Sequence, residues 1–73
     1  MKSNKRMFAI SHAIRQCIFI SQELPARGNR LNRLGIRVAL DAVDELHEVG
    51  AYRIAHKLDD VLCQHVEKYG VGV

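Results

Sequence analysis

Leu24-Pro25-Ala26-Arg27-Gly28-Asn29 is the stretch that decides the fold. It holds the single proline of the chain, with a glycine three residues on. Proline lacks a backbone N–H and its ring crowds the preceding helical turn, so such a run divides a helical sequence. On both sides of it apolar residues recur at i, i+3, i+4 and i+7, the period of an amphipathic helix. Upstream, the pattern predicts a helix over about residues 4–24, capped by Ser3 or Asn4. Its inward face is Met7, Ile10, Ala13, Ile14, Cys17, Ile20 and Leu24. Downstream, a second helix over about residues 30–48 opens after Asn29 and turns Leu31, Val38, Ala39, Ala42, Leu46 and Val49 inward.

Gly50 supplies the left-handed position that commonly follows a helix. A third helix then runs over about residues 51–69, with Ala51, Ile54, Ala55, Leu58, Val61, Leu62, Val66 and Tyr69 inward. Connections this short place successive helices antiparallel. The expected fold class is all-α, three antiparallel amphipathic helices in one domain spanning residues 1–73. A frayed start at residues 1–3 and a frayed tail at residues 70–73 are expected with it. Gly35 falls inside the second helix, where it costs about 1 kcal/mol relative to alanine, so a close helix contact is expected there.

Composition narrows the function classes. A chain of 73 residues buries only about 60% of its unfolded surface, too little to build a large catalytic cleft from one copy. Two cysteines do not make a disulfide scaffold, and no apolar run approaches the length of a membrane span. The start is basic like a signal n-region, but His12, Arg15 and Gln16 interrupt the apolar stretch after it, so no cleaved leader is expected. A reduced, cytoplasmic protein with no membrane partner is the expectation.

Charge is segregated. Residues 1–37 carry eight basic residues against Glu23 alone, a net +7, and residues 38–73 carry three against seven, a net −4; together they give the formal +3. Arg30, Arg33 and Arg37 share a helical stripe, extended by Arg27 if the helix starts earlier. They sit at the helix end that favours anions instead. Three readings follow: an anionic partner such as RNA, DNA or an acidic protein patch, internal neutralisation by Glu23 and Glu67, or pairing of the basic half of one copy with the acidic half of another.

A second strip lies off the core row of the first helix: Phe8 and Phe19, with His12 and Arg15 between them. Both phenylalanines of the chain are on it. A core this small gains from oligomerisation, and these four residues are the expected association surface of a homodimer.

Chemistry is sparse. Cys63 and His65 are two residues apart on a helix and diverge by about 200°, so they do not share a metal ion. Asp59 and Asp60 diverge likewise, and no glycine-rich phosphate loop is present. No catalytic, metal or cofactor residue is assigned, and no cofactor is expected. The third helix, with Asp59, Asp60 and Glu67, would repel DNA if used as a recognition helix.

The segment Leu46-His47-Glu48-Val49-Gly50-Ala51-Tyr52-Arg53-Ile54-Ala55-His56-Lys57-Leu58-Asp59-Asp60-Val61-Leu62 resembles the hairpins written L-x-E-x-x-A-x-x-x-A in small helical accessory proteins of lambdoid phages and plasmids. The Rop-type RNA-binding hairpin dimers have a similar stretch. The resemblance covers about 17 residues of the chain, transfers no site residue, and implies a host-cytoplasmic accessory role. The function expected is that of a non-enzymatic regulatory homodimer binding a partner protein. Alternatives are an RNA- or DNA-binding dimer using the arginines, and a structural subunit of a larger assembly.

Overall fold

Alanine sets the spacing between the helices: Ala13, Ala39 and Ala55 are fully buried, and Ala9, Ala42 and Ala51 nearly so. The computed structural model describes residues 2–73, and the side chains of residues 4–73. Helix α1 is α-helical over Lys2–Ile18, passes through a π-helical turn at Phe19–Glu23, and closes in Leu24–Ala26. Helix α2 is Arg33–Glu48 and α3 is Tyr52–Tyr69. The chain is all-α, and among the described residues the one β-type pairing is an isolated bridge between Asn32 and Gly72. Lys5 near the start of α1 meets Glu48 at the end of α2, 4.0 Å apart. Leu31 just before α2 meets His65 near the end of α3. The bundle measures 39 × 19 × 17 Å, its long axis that of α1.

Several boundaries differ from the sequence reading, each for a local reason. Met1 of the expected frayed start lies outside the described residues, while Lys2 and Ser3 already carry helical backbone, so neither Ser3 nor Asn4 is a cap. Pro25 does not end the first helix. In the π turn ahead of it the Leu24 N–H reaches back to the carbonyl of Phe19, and the widened turn makes room for the proline ring. The Ser21 hydroxyl donates to the Cys17 carbonyl at 2.6 Å in the same turn. The second helix starts three residues later than expected, because Asn32 is its cap: the side-chain oxygen accepts the Gly35 N–H at 2.8 Å.

Inward faces shift accordingly. On α1, Ala9, Ala13, Ile20 and Leu24 are buried, Ile10 and Cys17 pack partly, and Met7 and Ile14 are exposed, contrary to expectation. On α2, Val43 replaces Val38 in the core. On α3 the expected row holds, with His65 added as a buried residue.

Leu31 precedes α2 yet is buried, and its surroundings explain two glycines and the tail. Its N–H donates to Nε2 of His65 at 3.1 Å, so that nitrogen carries a lone pair and the ring proton sits on Nδ1. Its carbonyl accepts the Gly72 N–H at 2.6 Å, so the tail at residues 70–73 is docked rather than frayed. A Cβ on Gly72 would come within 3.2 Å of that carbonyl. A Cβ on Gly35 would lie 2.9 Å from the Leu31 Cδ2, so the close contact expected at Gly35 is with the loop and not with another helix. Replacing His65 by leucine leaves the buried Leu31 N–H without an acceptor and should cost about 1–3 kcal/mol. Urea denaturation of the His65→Leu variant measures this, with His65→Gln recovering part of the loss.

Candidate functional site

Among the described residues the outer side of α1 carries more exposed large apolar side chains than α2, with Leu34, Val38 and Leu40, or α3, with Tyr52: Met7 is 64% exposed, Phe8 76%, Ile14 49% and Ile18 42%. They are outward because the alanine seam dictates which side of α1 faces the bundle. At about 100° per residue, Ala9, Ala13 and Ile20 share one side, and Met7, Ile14 and Ile18 fall some 120° or more away from it. A patch of four such side chains is on the order of 400 Å², the scale at which exposed apolar surface marks a contact site.

Phe8, His12 and Arg15, expected on an association surface, line one shallow depression together with Asn4, Met7 and Ser11. His12 and Arg15 also border a second depression that includes Phe19 and Ile18. Phe19 therefore lies on the same side, but it is half-buried and packs against the core, because it opens the π turn. Sequence reading missed Met7, Ile14 and Ile18 as surface residues. Their signal was available: Asn4, Met7, Ser11, Ile14 and Ile18 are separated alternately by three and four residues, a heptad seam lying opposite the buried row of α1.

The arginines do not form the expected stripe. Arg30 lies off the helix and donates from Nη1 to the Tyr69 carbonyl at 3.0 Å, a cation at the negative end of α3. Only Arg33 and Arg37 share a helical face; Arg37 stands 3.9 Å from Asp41, one turn along. Arg27 and Arg33 are exposed, and among the described residues no ion pair joins any of these arginines to Glu23 or Glu67. The Arg30 bond to a helix-end carbonyl replaces the carboxylate neutralisation considered from sequence. A second depression adjoins them, lined by Leu34, Val71 and Val73 beside Arg33.

Of the reactive side chains, Cys63 is exposed and Cys17 is half-buried. Burial pushes the Cys17 thiol pKa up, and the nearby Lys57 ammonium offsets part of this. His56 pairs with Asp60 at 3.5 Å on the surface of α3. No group of three or more metal-ligating side chains comes together among the described residues, and no helix is long and apolar enough to cross a membrane.

Two outcomes follow from this geometry. An aromatic disulfide reagent at pH 8 should modify Cys63 at least tenfold faster than Cys17, since the thiolate is the nucleophile and burial disfavours it; mass spectrometry of timed samples reads the two sites. Arg33→Glu should leave the melting temperature within about 2 °C of the native value, the variant having lost no ion pair.

No family model, no curated protein and no solved structure matches this chain.

Proposed function

We propose that this chain is a non-enzymatic, cytoplasmic interaction module that regulates a partner protein by docking through the outer side of α1. The observation that carries the reading is an inversion of the usual economy of burial. Methionine, phenylalanine and two isoleucines stand exposed on α1, while the two buried positions of its first four turns, Ala9 and Ala13, are alanine. Full burial of each large apolar side chain is worth about 1.5–3 kcal/mol. A helix set only by its own core would turn Met7 and Ile14 inward; setting it on Ala9 and Ala13 holds that energy in reserve for a contact made by another molecule.

The arginines support a nucleic-acid reading less far. Arg30 is spent on the Tyr69 carbonyl and Arg37 stands beside Asp41, leaving Arg27 and Arg33 as exposed cations at that end. Two phosphate contacts give a shallow salt dependence.

The test places a photo-crosslinking benzoylphenylalanine at Phe8 in cells that express the full chain, with and without Ile14→Asp. Crosslinked protein bands that disappear in the Ile14→Asp background are the expected result. Absence of any crosslinked protein overturns the reading. Crosslinking to RNA instead, with anisotropy that falls steeply between about 50 and 200 mM salt, puts the arginine-based reading in its place.

A further inference from the structure

The geometry points to a second copy of this chain as the occupant of the α1 surface, packed antiparallel along the seam Asn4, Met7, Ser11, Ile14 and Ile18. This rests on the docking reading above and names its partner. The alternation of three and four residues along α1 matches a helix with the same alternation, and α1 itself supplies one. A two-fold axis between His12 and Ala13 sets Met7 of each copy against Ile18 of the other, and Ser11 against Ile14. Asn4 then meets Ser21 at both ends of the seam, so polar residues close the apolar stretch. The interface is isologous and closes on itself as a dimer.

Charge selects this direction over the parallel one. Arg6 lies in the first turns of α1 and has no acidic partner among the described residues, Lys5 beside it being drawn to Glu48 of its own copy, and Glu23, the single acidic residue of α1, lies near its end. Parallel packing sets the basic starts side by side. Antiparallel packing brings each basic start to the other copy's Glu23 and to the negative end of its helix. The seam's flank gives a second argument. Phe8 and Arg15 lie on the same side of it, both exposed, and Arg15 has no acidic partner among the described residues. In the antiparallel arrangement Phe8 of one copy lies beside Arg15 of the other, twice per dimer, within the range of a cation–π contact. Each of the two residues lacks a partner in one copy and acquires one in the pair.

Ser11 is the weak point of the seam, a small polar residue opposite Ile14, and it provides a gain-of-function test. Sedimentation equilibrium of the native chain should show a monomer–dimer equilibrium in the micromolar range. Ser11→Leu, at an exposed position that the bundle does not use, should tighten it at least tenfold. Ile14→Asp should weaken it at least a hundredfold with an unchanged far-ultraviolet circular dichroism spectrum. Direction is read by oxidising an equimolar mixture of Ser11→Cys and Ile14→Cys chains, both carrying Cys63→Ser. Random pairing already gives the mixed disulfide in about twofold excess over each homodisulfide, so the antiparallel seam is expected to raise that excess to about tenfold or more. A native chain that stays monomeric at about 500 µM, or a mixed disulfide in no more than about twofold excess over each homodisulfide, overturns the pairing. The docking reading fails separately: a monomeric chain whose Phe8 position still crosslinks to other proteins in cells leaves that reading intact and removes only the second copy.

Discussion

Leu31 joins three parts of the chain that have no other reason to meet. Its N–H is held by His65 of α3, its carbonyl receives Gly72 of the tail, and its side chain fills the space left by Gly35 on α2. A loop residue that satisfies both backbone groups and buries its side chain acts as part of the core, although it belongs to no helix. The end of α3, the tail and the start of α2 are assembled around it. Arg30, next in the chain, reinforces the same junction by donating to the last carbonyl of α3. In a bundle this small, where net stability is a few kcal/mol, one such junction determines whether the helix ends are ordered.

At the opposite extreme stands the alanine seam. Close approach of the three helices through Ala9, Ala13, Ala39, Ala42 and Ala55 gives tight packing but little apolar area per residue. The large side chains that ordinarily supply that area are distributed unequally. Ile20, Leu46 and Leu58 fill the centre, and the first four turns of α1 present theirs to solvent. The bundle is thus well packed and yet leaves apolar surface uncovered on α1.

Periodicity carried most of the fold. The third helix was legible to within one residue because its apolar row is narrow and unbroken, and Gly50 and Gly70 both adopt the positive φ that the breaks require. The first helix was misread because its apolar residues cover too wide an arc. Met7, Ile10, Ile14 and Cys17 read as one face, and nothing in their hydrophobicity says that alanine will take the inner side. The start of the second helix was misplaced because Asn29 and Asn32 are both competent caps, and the choice depends on Leu31 finding His65 from 34 residues away. The stripe of arginines was an artefact of that boundary: it required Arg30 to be helical. The exposure of Phe8, His12 and Arg15 on one side of α1 was legible from spacing alone, since three positions on one regular helix need no tertiary information.

The π turn at Phe19–Glu23 separates two angular settings within one continuous rod. Residues ahead of it take their orientation from the alanine seam, and residues behind it from the loop that delivers Leu31. The surplus residue absorbs the mismatch between the two, so the outward side of the helix can be re-aimed without moving the point where the loop departs. Substitution on that outward side therefore leaves untouched the junction at Leu31, which is built from α2, α3 and the tail.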